Sequence, residues 1–548
     1  MKRIKKSLLL VLVICSSISL NAQKKRGLGE VIDLDLIAKT PQKMQISERS
    51  FANLPTSVSL EKYAPTPGDQ GEYGTCTAWA VGYGVATILY AKTHGLTDKA
   101  LINKYAFSPS FLYEQIKDSS DNNCQGGSSS VKALITLIST GDATLRTVPY
   151  TCGIKASANA KTEASDYKIG DVAILFAAKG LSKEDKYFKQ EAEAIDLTKK
   201  ALMEGSPISI SYTLPKSFFA ISSAVWTPDP SENFGDWKHS SHAMCVIGYD
   251  DNIAGGAFRV MNSWGANWGD KGFVWIRYAD FYRWCQIALQ PFGNPYSKAP
   301  SEKKEEPVPK PAPLPAPNPT PSPVPTPTPT PKPSPASDNI FVLGGSVELK
   351  LNDGTNMEAS KISTRNLVVD EEKAESEKEA LVAYRVNDKY ASGTKFRFYI
   401  KTDEEAYIYA FASDLTGKVN LLLPFDDMVS THIGANTTVA FPSDKKVIKM
   451  DEQRGTDYLL IIYSREQLNV KNMLVIMNAM SGSLRKKIKA VLADKLIDKD
   501  FIKYDANKPG FQVAGKKGSR NLVVSDDKSD NRNTTGTVVP LMIEISHQ

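Results

Sequence analysis

The sequence predicts an α+β unit, helical first and β second, tied by a proline-rich rod to a second unit that is mainly β. Three observations carry this. Residues 70–92 (QGEYGTCTAWAVGYGVATILYAK) put a polar, glycine-containing turn before a small-residue apolar helical pattern. From Pro207 the texture changes to runs rich in β-branched and aromatic residues, with Gly and Asp between them: PISISY, AMCVIGYD, AFRVMNSW, GFVWIRY. Over residues 307–335 every second residue is proline. Each proline removes a backbone donor and fixes φ, so neither a helix nor a sheet ladder forms there.

At 548 residues the chain exceeds one ordinary domain. The net charge of +6 owes part of its excess to Lys2, Arg3, Lys5 and Lys6. No basic stripe with interleaved aromatics occurs, so no nucleic-acid partner is expected. Residues 1–22 read as an export signal: a basic start (MKRIKK), an apolar core over 8–14, and small residues before a cut after Ala22. That core is too short to span a bilayer, and no later run reaches transmembrane length. The expectation is an exported protein, secreted, at the cell surface or periplasmic, with no transmembrane anchor. Cys15 follows Ile14 rather than a small residue, which argues against a lipoprotein anchor. Five cysteines remain, Cys76, Cys124, Cys152, Cys245 and Cys285. An odd count in an exported chain leaves at least one thiol free or paired with another chain.

Residues 23–52 form a short N-terminal segment with Leu34, Leu36 and Ile37 as apolar anchors. It is either an activation peptide or an arm packed on the next domain. Residues 53–292 are the α+β unit, with a second helix expected over 130–139 and a third over 182–203. Residues 297–338 are the linker. As polyproline II its repeat would extend on the order of 90 Å; a ligand for a proline-binding module is the alternative. Residues 339–548 contain no cysteine. Strands are expected near 347–351, 395–400, 406–412, 419–423, 438–441 and 458–462, and a helix over 483–494. The pentapeptide RNLVV starts at Arg365 and again at Arg520, as two copies of an edge element or of an exposed motif. The polar tail over 516–535 reads as mobile.

The chemistry starts at Cys76. A cysteine in the first turn of a helix meets unpaired backbone N–H groups and the positive end of the helix dipole, which favour the thiolate. An inert buried thiol is the alternative. A reactive thiol needs a proton acceptor within reach. Of the five histidines, His432 and His547 lie beyond the linker. His94 falls at the far end of the helix that Cys76 starts, about 27 Å away at ~1.5 Å per residue. His239 and His242 remain. His242 opens the apolar strand AMCVIGYD and is favoured over His239, which sits in polar loop sequence. A base also needs an orienting partner. Asn262, in the sequence Asn262-Ser263-Trp264-Gly265, can hold the imidazole through its side-chain carbonyl, with Trp264 shielding that bond from water.

These residues resemble the papain family of cysteine peptidases. DQGEYGTC, CQGG at 124–127, PY at 149–150, HAMCVIGYD from His242 and NSWGANWGDKGFVWIRY from Asn262 occur in the family's order, over about 54–291. The resemblance implies a two-lobed fold, a helical lobe and a β lobe, with Cys76 as nucleophile, His242 as general base and acid, and Asn262 as the imidazole orienter. Gln70 would donate its amide to the oxyanion. Gly126 and Gly127 would let a substrate backbone lie close to the cleft wall. Ala243, Trp264 and Trp268 would complete the substrate-binding set. No metal or cofactor is implied, and the partner is a peptide or protein substrate.

There are departures. Thr77 follows the nucleophile where the family usually has Trp, and Trp79 comes two positions later. Tyr73 replaces the cysteine that would pair with the glycine loop. Cys152 then becomes the expected partner of Cys124, while Cys245 and Cys285 either pair or stay buried. Extra length is expected in polar, loop-like insertions over 152–196 and 217–238, bordering the cleft. The family's long inhibitory pro-domain is missing. Residues 392–465 resemble a bacterial β-rich domain of unknown function, an accessory unit with an unnamed surface ligand; His432 has no evident partner there. The reading is an exported cysteine endopeptidase. A papain-fold amidase acting on a non-protein amide, and an inactive surface adhesion or scaffold protein, are the alternatives.

Overall fold

The structure is a computed structural model describing residues 26–221, 223–237, 241–300, 339–362, 383–414, 416–516, 522–523, 533–534 and 536–548. The export signal, the proline repeat, His239 and the first RNLVV copy lie outside the described residues.

The helical lobe is built on one long helix. It runs through Cys76–Ala78, a wide π-type stretch over Trp79–Ala86, and Thr87–Thr93. Every residue from Cys76 to Ala91 is buried. Two glycines allow this. A Cβ at Gly84 would come within 3.3 Å of the Cys245 Cβ, and one at Gly82 within 2.8 Å of Asp142. The helix therefore lies directly on the β lobe. Helices Pro109–Ile116 and Ser130–Ser139 flank it, each started by a serine cap, Ser108 and Ser129. The second of these matches the expected span.

The β lobe orders its strands as Asp171–Ala177, Cys285–Phe292, Ile208–Thr213, Ser241–Asp250, Ala257–Met261 and Phe273–Arg277, all antiparallel. In this register Tyr212 faces His242 and Ser211 faces Ala243. Both faces of the central strands are covered, so even the alternating serines of Ile208–Thr213 are buried.

Several expectations change. The third helix begins at Glu191, not near Ser182. Glu184 and Asp185 have left-handed φ values of 55° and 50°, and Tyr187 turns inward to donate to the Thr40 carbonyl at 3.0 Å. The 152–196 insertion is not loop-like: it contains helix Ala158–Ser165 and the buried strand Asp171–Ala177. The 217–238 insertion holds Trp226, 2 % exposed, edge-on to Tyr212 and Phe218. Cys124 and Cys152 form the expected disulfide. Cys245 and Cys285 are both buried free thiols.

The C-terminal unit packs two sheets around Leu343, Phe398, Ile408, Ile461 and Ile543. Helices Val470–Ala479 and Leu484–Leu492 cover the outer face of one sheet. The first of these helices was not expected. Strand Val538–His547, beyond the polar tail, pairs along its length with Gly455–Ser464.

The N-terminal segment joins everything. After helix Leu34–Lys39, residues Gln42–Lys43 pair in parallel with Val429–Ser430 on one side and with Ile174 on the other. One sheet thus runs from the β lobe into the C-terminal unit. Met44 and Ile46 enter the C-terminal core. Behind the strand, Lys43 Nζ donates to Glu204 and Gln290, both at 2.8 Å, and Thr437 donates to Glu204 at 2.8 Å. His432 has partners after all. Its ring stacks between Phe292 and Tyr407, each at 4.1 Å, with Nε2 3.1 Å from Glu405 and Nδ1 3.7 Å from Asp171.

Candidate active site

The long helix and the strand from Ser241 bring Cys76 and His242 to the boundary between the lobes. The N–H of Ala243, next to His242, hydrogen-bonds the Cys76 sulfur. Thr75 supplies no side-chain cap; its hydroxyl meets Tyr150 at 2.6 Å, and Tyr150 donates to the Gln70 carbonyl at 2.8 Å. Loop and helix start are thereby held as one piece.

His242 Nε2 lies 2.8 Å from Asn262 Oδ1. The same Asn262 atom accepts the Ser263 N–H at 2.8 Å. A backbone N–H can only donate, so this atom is the oxygen, and Nε2 must carry the ring proton. The lone pair then sits on Nδ1, which is buried and has no hydrogen-bond partner among the described residues. Trp264 lies 4.8 Å from the imidazole. Phe219 stacks on its ring at 5.3 Å, and Trp268 meets it edge-on at 5.3 Å. Trp268 is buried behind Trp264, against Phe218.

Gln70 is fully buried. Its Oε1 accepts from Ser263 Oγ at 2.6 Å, and its N–H donates to the Ser263 carbonyl at 2.9 Å. Nε2 is left to donate outward, to the carbonyls of Tyr73 at 2.9 Å and Gly27 at 3.1 Å. Ser263 was not among the expected site residues, although it adjoins Asn262.

Gly27 belongs to the N-terminal arm, and residues 26–31 of that arm fill the cleft. The Arg26 guanidinium lies 4.8 Å from the Trp264 ring centre. The Gly27 N–H donates to the Gly71 carbonyl at 3.0 Å. The Gly29 N–H bonds the Cys76 sulfur. Ser128 then pairs with the arm in both directions: its N–H donates to the Gly29 carbonyl at 2.7 Å, and its carbonyl accepts from the Val31 N–H at 2.9 Å. The pairing is parallel. Glycines permit the approach. A Cβ at Gly27 or Gly29 would collide with the carbonyl of Tyr73 or Gly74, and one at Gly127 (φ 75°) with Gly29. Gly126 has a different role, its N–H donating to Asp121 at 3.2 Å inside the loop.

Burial favours the uncharged forms of both reacting groups. Burial pushes the Cys76 thiol up to about 12, with Glu30 adding to it. Burial pulls His242 down to about 4 against the hydrogen bond to Asn262. The helix-start argument for a thiolate is therefore overridden while the arm is in place, because desolvation penalises the charged forms of both groups.

Residues 55–294 match the sequence model of the papain family cysteine protease, and residues 389–467 that of a domain of unknown function, DUF4384. Among curated relatives, Cathepsin B-like CP3 of Giardia intestinalis is 29 % identical over 216 residues, 39 % of this chain and 64 % of that protein. An uncharacterized peptidase C1-like protein of Acanthamoeba polyphaga mimivirus is 27 % identical over 229 residues, 38 % of this chain and 63 % of the relative. The chain thus spans somewhat less than two thirds of these two relatives. Among solved structures, xylellain, a cysteine protease from Xylella fastidiosa, aligns at 23 % identity over 50 % of this chain and 98 % of its own, with a TM-score of 0.39. Residues 55–294, which match the papain family cysteine protease model, thus fold as a helical and a β lobe, and a β-rich region that includes the match to a domain of unknown function follows them.

Proposed function

We propose that this papain-family domain is an exported endopeptidase acting through Cys76, and that residues 26–31 hold it latent. The observation that carries the reading is the tautomer of His242. Asn262 fixes the proton on Nε2 and leaves the Nδ1 lone pair unused, beside the strand residue that bonds the Cys76 sulfur.

The chemistry follows from these groups. His242 Nδ1 takes the thiol proton, and the thiolate sulfur adds to the substrate's peptide carbonyl carbon. The oxyanion receives Gln70 Nε2–H and the backbone N–H of Cys76; removing one such donor typically costs about 10²–10³ in turnover. The imidazolium returns its proton to the leaving amine as the C–N bond breaks, leaving a thioester. Water, deprotonated by His242, adds to the thioester, and the acid departs as the thiol is restored.

The arm blocks each step. It takes the Gln70 donor through Gly27, bonds the sulfur through Gly29, and keeps both reacting groups uncharged. Its withdrawal rehydrates Cys76 and His242 and removes the main cause of their shifts. Six residues of the N-terminal segment suffice to fill the cleft. The Cys124–Cys152 disulfide supports an oxidising, exported setting. The C-terminal unit serves as the anchor of the arm through Val429–Ser430.

A labelled thiol-reactive peptide epoxide tests this on the full chain. Gly29→Leu, which collides with the Gly74 carbonyl, is expected to release the arm and give strong labelling. Adding Cys76→Ala should abolish it. Absence of Cys76-dependent labelling in the released chain would sink the peptidase reading. Equal labelling of wild type and Gly29→Leu would sink latency alone.

A further inference from the structure

Glu30 of the arm is buried, and among the described residues its carboxyl is met by hydroxyl and N–H donors and by no ion-pair partner. Thr77 Oγ1 donates to Oε2 at 2.6 Å and Ser130 Oγ to Oε2 at 2.8 Å. Ser211 Oγ donates to Oε1 at 2.5 Å, and the Ser130 N–H reaches Oε1 at 3.2 Å. None of these four donors belongs to the arm. Thr77 comes from the start of the Cys76 helix, Ser130 from the first turn of Ser130–Ser139, and Ser211 from the strand that pairs with Ala243. All three side chains are buried. They form the wall of the cleft.

We propose that this pocket selects the substrate, and that it takes the side chain of a glutamate. The inference rests on the peptidase reading above. The backbone geometry supports it: Ser128 pairs with Gly29 and Val31, the two residues flanking Glu30. A substrate strand pairing with the same Ser128 groups in the parallel sense of the arm turns its intervening side chain into the same pocket. The donor set decides the chemistry. A hydroxyl can accept as well as donate, but the Ser130 N–H can only donate, so an oxygen must face it. The first turn of a ten-residue helix adds the positive end of its dipole. A leucine there would leave the Ser130 and Ser211 hydroxyls and the Ser130 N–H without their acceptor, while Thr77 would keep the Ser128 carbonyl at 2.9 Å; a site built to hydrogen-bond rejects such an analogue strongly. Glutamine satisfies the Ser130 N–H through its one oxygen and ranks second. Aspartate is one methylene too short to reach all three walls. Burial holds the Glu30 carboxyl up, to about 7, so the pocket favours the protonated acid over the carboxylate.

The test is a fluorogenic peptide library, each of four positions before the scissile bond varied in turn, cleaved by the full chain carrying Gly29→Leu. One position is expected to favour Glu over Leu by at least about tenfold in kcat/KM. Ser211→Val in the same background should reverse that preference toward Leu while the other positions keep theirs. Thr77→Val, nearly isosteric, gives a second reading if Ser211→Val fails to fold. A library cleaved with Leu favoured, or with no preference at any position, overturns the pocket assignment and leaves the peptidase standing. No Cys76-dependent cleavage of any peptide overturns the peptidase reading, and the pocket assignment with it.

Discussion

Two buried histidines show how differently one residue type is used in the two halves of this molecule. His242 in the cleft and His432 at the seam between the units are both packed against aromatic rings. Burial penalises the charged imidazole in each. At His242 the partner is the neutral Asn262, so burial wins and the ring is pulled down to about 4. At His432 the partners are Glu405 and Asp171, which overcome burial and raise it to about 9. The first environment makes a neutral proton acceptor of fixed tautomer. The second favours the cation at neutral pH, facing a carboxylate from each unit. Burial alone assigns neither role; the charge of the hydrogen-bonding neighbour does.

The sharpest way to break the comparison is to delete each ring. In the arm-released chain, His242→Ala is expected to cut turnover by about 10³-fold or more, about 4 kcal/mol of barrier, with little change in melting temperature. His432→Ala should do the reverse: peptide turnover unchanged, but a loss of about 2 kcal/mol in urea unfolding. That figure is at the low side for a broken buried pair, since Glu405 and Asp171 keep part of their surface in solvent. Equal effects of the two variants on turnover would end the distinction.

The pH dependence follows from the direction of each shift. His432 is raised in the folded state, so its contribution is fully present below about 6.5 and is lost as pH rises through about 9. Wild type should lose roughly 2–3 kcal/mol relative to His432→Gln between pH 6 and pH 10, read from denaturant midpoints. Glu30 is also raised, to about 7. Its hold on the arm is present below about 4.5 and weakens as pH rises through 7. Hydrogen exchange at residues 27–31, corrected for intrinsic rate, should quicken over that window in wild type and stay flat in Glu30→Gln. The smallest effect is at the seam. Phe292→Leu keeps the apolar volume but removes one stacked face of His432, at a cost of about 1 kcal/mol.

Much of the candidate site was legible before any coordinates. Cys76 at a helix start, His242 at a strand start and Asn262 after the next strand each carry a local signal, and the structure brings them together with Gln70. The helix Ser130–Ser139 and most strands follow from period and composition. The misses have physical causes. Strand Asp171–Ala177 is buried on both faces and so lacks the alternation that marks a strand. Glu184 and Asp185 delay a helix that their residue types permit. Gly126 and Gly127 look equivalent in sequence, yet only Gly127 meets the arm. Glu30, Thr77, Ser130 and Ser211 are ordinary residues in ordinary positions, and only their convergence gives them meaning.

By itself the sequence determined which groups could react, because nucleophile, base and orienter depend on residue type and local backbone, which a short motif encodes. The tertiary structure alone decided their state. Whether Cys76 is a thiol or a thiolate, which ring nitrogen of His242 is free, and what lies across the cleft depend on desolvation and on contacts between segments distant in the chain. Those energies belong to the packed molecule, so no single segment contains them.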